Sequence, residues 1–155
     1  MTETKSTYVD AEDSVAGRLA SIIAKRLLSG DRVTVLNVEK SVITGEKRRI
    51  IDDYMKFMQI QSKVNPRRLG PFKPRTPEGI FKRIVLGMLP KQKPKGREAY
   101  RRLRVFVGIP EKFKSVDAVK IVEARYRESP YGYLSIEEIA RTLGWRPIRE
   151  RLGEA

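Results

Sequence analysis

The first forty residues place an amphipathic helix between two β-forming runs, and that order leaves few folds open. Thr7-Tyr8-Val9-Asp10-Ala11 reads as a short strand; Asp13 or Ser14 then caps a helix over Val15 to Ser29 that stops at Gly30. "DRVTVLNV" follows at once, rich in β-branched residues and with the near-continuous apolar character of a strand buried in a parallel sheet. Strands alternating with helices predict an α/β fold. Within the helix Val15, Leu19, Ile22, Ile23 and Leu27 form one apolar face, with Arg18 and Lys25 on the other. Arg26 lies beside the stripe and is expected to snorkel. Val33, Val35 and Leu36 are therefore expected in a buried central strand, with Leu19 and Ile23 packed on the sheet.

Further along, "SVITG" is expected to extend the sheet, and Glu46 to Met58 to form a helix with Ile50, Ile51, Tyr54, Phe57 and Met58 on its inner side. From Gln59 to Arg75 the pattern gives way to "QIQSKVNPRRLGPFKPR", where Pro66, Gly70, Pro71 and Pro74 forbid long regular structure. Thr76 then suits an N-cap with Pro77 at the first helical position. Ile80, Phe81, Ile84, Val85, Met88 and Leu89 make the apolar face of a helix ending before Pro90, with Lys82 and Arg83 on its polar side. A second basic loop holds a helical turn at Gly96 to Arg102 and leads into a strand, "LRVFVG", closed by Pro110. After that come a short strand candidate, "AVKIV", tyrosines at 126, 131 and 133, and a capping-box helix from Ser135 with Glu138 three residues on. Ile136, Ile139, Ala140 and Leu143 give that helix one apolar face. This organisation predicts a core domain over 1–112, carrying basic loops, and a C-terminal extension over 113–155 that the core does not need in order to fold.

Charge is the next constraint. Of 155 residues, 33 are Lys or Arg and 19 are Asp or Glu, a net +14, which points to a polyanionic partner. Residues 63 to 112 hold 15 basic side chains against Glu78, Glu98 and Glu111, so this third of the chain carries +12 of the total. Concentration into two Pro/Gly-punctuated loops flanking one helix marks a binding footprint rather than a solvated surface. The absence of Cys and His removes disulfides, thiolate zinc sites and the commonest general base. No stretch approaches the roughly 20 apolar residues needed to cross a bilayer, and "MTETKSTYVD" lacks the features of a secretory signal, so an intracellular protein is expected. The 34% charged content with only two Asn also suits a hot environment.

Irregular basic loops suit folded RNA better than duplex DNA, whose readers usually send a helix into the major groove. Phe72 and Tyr100 lie among the charges, where stacking on bases competes with anchoring to the core; the second reading is the commoner one. "TGEKRR", Thr44 to Arg49, is a further strand-to-helix turn where amides and basic side chains can meet phosphate. A magnesium-dependent nuclease would need converging carboxylates. Asp10 ends a strand, Asp13 suits a cap, and the adjacent Asp52 and Asp53 point about 100° apart on a helix. Neither G-x-G-x-x-G nor G-x-x-x-x-G-K-[ST] occurs, which weighs against an enzyme.

The segments "VDAEDSVAGRLAS", "LLSGDRVTVLNVEKSVITGEK", "PRTPEGIFKRIVLGMLPK" and "GREAYRRLRVFVGIP" together resemble the L-thirteen family of large-subunit ribosomal proteins over Tyr8 to Pro110. The short connection between Leu28 and Asp31 and the C-terminal extension are similar to the archaeal form. The resemblance implies a three-layer α/β/α domain on a four-stranded, mostly parallel sheet. It also implies a structural, non-enzymatic role in the large subunit, supporting assembly and translation in the cytoplasmic ribosome. Implied partners are large-subunit ribosomal RNA and neighbouring ribosomal proteins, with no cofactor, metal, membrane or small-molecule substrate. The residues expected against RNA are Arg18; Lys47, Arg48 and Arg49; Arg67, Arg68, Lys73 and Arg75 in the first loop; Lys82 and Arg83 on the intervening helix; and Lys91, Lys93, Lys95, Arg97, Arg101, Arg102 and Arg104 in the second.

Overall fold

The computed structural model describes residues 5–65, 68 and 71–151. β1 (Ser6–Asp10), α1 (Ala16–Leu28) and β2 (Arg32–Leu36) open the chain, followed by a 3₁₀ turn (Val38–Lys40), β3 (Val42–Thr44) and α2 (Lys47–Gln59). Next come α3 (Pro77–Met88), α4 (Pro94–Arg101) and β4 (Leu103–Val105). The remainder supplies β5 (Val119–Lys120), β6 (Tyr133–Ser135), α5 (Ile136–Thr142) and α6 (Ile148–Arg151), with 3₁₀ turns at Glu111–Phe113 and Val122–Ala124. β4, β2, β1 and β5 lie side by side in one sheet whose pairings are all parallel, so the chain has the expected α/β fold.

Side chains alternate between the two faces of a strand, and here the faces differ sharply. Val9, Val33, Val35, Leu103 and Val105 are buried in a core shared with α1, α3 and α4. α1 adds Leu19, Ile23 and Leu27, with Ala16, Ala20 and Ala24 between them; these small residues permit close approach. Its C-terminal end is closed by Gly30 at φ 108° and by Arg102, which donates from Nη2 to the Leu27 carbonyl at 2.9 Å. On the other face Tyr8, Thr34 and Arg104 stand in register across β1, β2 and β4. The 3₁₀ turn at Glu111–Phe113 lies against this face, with the Phe113 ring 5.6 Å from Tyr8 and 5.4 Å from Phe106. That third layer is thin.

Several local expectations need correcting. Neither Asp13 nor Ser14 caps α1: Val15 occupies the N-cap position, and its amide donates to the Ala124 carbonyl at 2.7 Å. Tertiary backbone pairing thus replaces a side-chain cap. β3 does not extend the main sheet; Val42 to Thr44 pair antiparallel with Ser135 to Tyr133. Asn37, in the left-handed region at φ 53°, and the following 3₁₀ turn redirect the chain before β3 begins. The fourth strand of the main sheet is instead β5, from the segment read as an extension. Ile121, Ala124, Leu134, Ile136, Ile139, Ala140 and Leu143 join the same core, so the division at 112/113 runs through continuous packing. α2 has no fully buried residue, and Phe57 is 47% exposed, because this helix covers the edge of α3 and β6 rather than the sheet.

Of the four acids that a magnesium site would draw on, Asp10 has a structural partner, and its neighbour Glu12 is ion-paired. Asp10 accepts from the Asn37 side chain at 3.0 Å, and Glu12 pairs with Lys40 at 2.7 Å and Lys120 at 2.9 Å. Asp52 and Asp53 are exposed on α2, and among the described residues no cluster of three metal-ligating side chains forms. Hydrogen bonds from Lys40 and Lys120 lower the Glu12 pKa from 4.5 to about 2. A carboxyl whose folded pKa is depressed stabilises the fold above its unfolded value, and that contribution disappears as pH falls from about 4.5 towards 2. Glu12→Gln should therefore melt below wild type at pH 7, with the gap closing across that window. Thermal melts at pH 7 and at pH 2.5 check this; a gap that does not narrow in acid would show that the Glu12 charge is not its source.

Candidate nucleic-acid interface

The first basic stretch folds back on its own chain. Lys73 lies 3.0 Å above the Phe57 ring centroid and donates to the Phe57 carbonyl, and the Arg83 guanidinium approaches the same ring at 5.9 Å. Loss of hydration there, with Arg83 alongside, lowers the Lys73 pKa below the usual lysine value. These groups and Ile80, Ile84, Tyr54 and Met58 line an apolar groove of about 320 Å³ between α2 and α3. Arg68 and Arg75 are exposed, and Arg67 lies outside the described residues. Phe72 is 67% exposed and so is no core anchor, whereas Tyr100 packs against the core as expected.

The second stretch is more ordered than a loop. α4 begins with Pro94 at its first turn and turns Gly96 and Ala99 inward, both buried. Gly96 is required there, since a Cβ would stand 2.2 Å from the Pro90 carbonyl oxygen. With that side held against Pro90, Lys91, Lys93, Lys95, Arg97 and Arg101 are left exposed. Among the described residues none of the five forms an ion pair. The two basic stretches sit at opposite ends of α3, whose 12 residues span about 18 Å, so they form two separate patches of charge.

Other candidates are scattered. Arg18 is exposed on α1, and Arg48 and Arg49 are exposed in the first turn of α2, where Lys47 is 3.8 Å from Glu138. On α3, Arg83 is exposed and Lys82 half-buried. Arg102 is half-buried and already engaged with α1, which makes it partly a structural residue. Together with Arg101 and Arg104 it borders a polar cavity of about 400 Å³ on the outer sheet face. Arg32 completes that border and was missed in the sequence, although the alternation Arg32-Val33-Thr34-Val35 points it outward beside Thr34.

A model of the family described as Ribosomal protein L13 matches residues 4–112. The chain belongs to this family. Relatives named large ribosomal subunit protein uL13 are similar along most of the L13 chain. The Archaeoglobus fulgidus protein is 44% identical over 144 residues, covering 92% of this chain and 90% of its own. The Aeropyrum pernix protein is 40% identical over 144 residues, covering 93% of each. The Methanopyrus kandleri protein is 40% identical over 143 residues, covering 90% of this chain and 87% of its own. L13 is a structural family of the ribosome rather than an enzyme family, which removes the nuclease reading.

Proposed function

We propose that this L13 chain is a structural constituent of the large subunit of the cytoplasmic ribosome. It binds large-subunit ribosomal RNA through its basic segments, supports subunit assembly and translation, and has neighbouring large-subunit proteins as further partners. The observation that carries the RNA-binding reading is the set of five exposed cations on and before α4, fixed by the Gly96–Pro90 contact and, among the described residues, left without a carboxylate partner. Such groups gain most from displacing counter-ions on a phosphate backbone. Arg68, Arg75, Arg48 and Arg49 extend the charge to other parts of the surface.

A salt titration of binding to large-subunit RNA tests the reading. Replacing Lys91, Lys93, Lys95, Arg97 and Arg101 by Gln should weaken binding and flatten log K against log salt by roughly 0.7 to 0.9 per lost contact. Melting should hardly move, because exposed substitutions of this kind usually change stability by about 0.5 kcal/mol or less each. An unchanged salt slope in the five-fold variant would exclude α4 from the interface.

A further inference from the structure

We propose that the cavity on the outer face of the sheet seats a nucleotide of the bound RNA, its phosphate held by Arg32, Arg101, Arg102 and Arg104. The inference rests on the RNA-binding reading above and adds a site to it, which shares only Arg101 with the exposed α4 surface. Three features carry it. First, four guanidinium groups border one cavity of about 400 Å³, and among the described residues no carboxylate pairs with any of them. Four like charges around one space repel one another until an anion enters. Second, Arg102 is held by its bond to the Leu27 carbonyl, yet its Nε is buried with no hydrogen-bond partner. A buried guanidinium donor without an acceptor is unusual, and this one belongs to a residue lining the cavity. Third, the remaining polar lining consists of the hydroxyls of Ser6, Tyr8 and Thr34, which can all donate.

The chemistry selects the ligand class. Guanidinium forks match the oxygens of a phosphate in pairs, which a lysine ammonium cannot do. The volume exceeds that of a bare phosphate and leaves room for an attached sugar and base beside the Tyr8 and Phe113 rings. The positions are also preorganised. Arg32 and Arg104 project from β2 and β4, both anchored by parallel pairing in the main sheet, so binding need not order a loop.

Arg32→Gln with Arg104→Gln is the informative variant, since both side chains are exposed and the fold should survive their loss. Two measurements apply: melting in inorganic phosphate against chloride at matched ionic strength, and salt titration of binding to large-subunit RNA. The proposal expects wild type to gain more from phosphate than the double variant does. It also expects RNA binding to weaken in the variant, with a slope flatter by roughly 1.4 to 1.8 for the two lost contacts. Arg32→Lys with Arg104→Lys keeps the charge and removes the forks; it should retain most of the slope yet lose the phosphate response. Equal phosphate responses and equal RNA slopes in wild type and the Gln variant overturn the site. A lost phosphate response with unchanged RNA binding overturns the RNA seat and leaves a site for a free phosphate compound. If wild type itself shows no salt-dependent RNA binding, the proposed function fails on its own, whatever the variants do.

Discussion

Ending the chain after Pro110 is expected to abolish cooperative thermal unfolding. The cut removes β5 from the edge of the main sheet and β6 from its pairing with β3. It also strips Leu134, Ile136, Ile139 and Leu143 from the core, together with Ile121, Ala124 and Ala140. At about 1.5 to 3 kcal/mol for each of those four large side chains, the loss is roughly 6 to 12 kcal/mol, comparable to the entire stability of an ordinary domain. Backbone partners go as well: the amides of Val15 and Tyr126 currently bond to Ala124 and Asp13 at 2.7 and 2.8 Å, and that of Ile136 bonds to Ser41 at 2.9 Å. Circular dichroism melts of the truncated and full chains check this. A cooperative transition near that of the full chain would show that residues after Pro110 are dispensable.

Ile23→Ala should cost about 2 to 5 kcal/mol, because a fully buried aliphatic side chain is replaced by a cavity. Ile23 is 0% exposed at the centre of α1, between the sheet and α3. In a chain of this size each kcal/mol lowers the melting temperature by about 2 to 4 °C, so a fall of several degrees or more is expected. Chemical denaturation should show a lower midpoint with the slope preserved, since the surface exposed on unfolding barely changes. A loss well under 1 kcal/mol would mean that the helix is not seated on the sheet as described.

Long periodic segments were legible in the sequence and short pairings were not. α1 and α3 announce themselves through apolar positions at helical spacing, and Thr76 caps α3 as its position suggests, accepting from the Gly79 amide at 3.3 Å. β3 and β6 have three residues each, too few to show a period, and their pairing joins segments some ninety residues apart. The apolar face of α5 was visible, but its burial against α3 is a tertiary fact that no local pattern encodes. "DRVTVLNV" predicts nearly continuous burial, which holds for Val33, Val35 and Leu36. Arg32 is exposed and Thr34 half-buried on the other face, because the period-two alternation of a strand persists within that apolar run. The basic character of residues 63 to 112 was plain from composition. Which cations fold inward, as Lys73 and Arg102 do, depends on Phe57 and on the end of α1.

The pairing of β1 with β5 sets Val9 beside Val119, with most of the chain between them. A polypeptide emerges from its own synthesis N-terminus first, at about 5 to 20 residues per second. The cations of residues 63 to 112 therefore emerge ahead of β5, β6 and α5, which complete the core. For a few seconds at that rate the nascent protein carries the charge that attracts a polyanion without the strand that closes its sheet. Timing, as well as geometry, thus lets counter-charge reach this chain before its fold is complete.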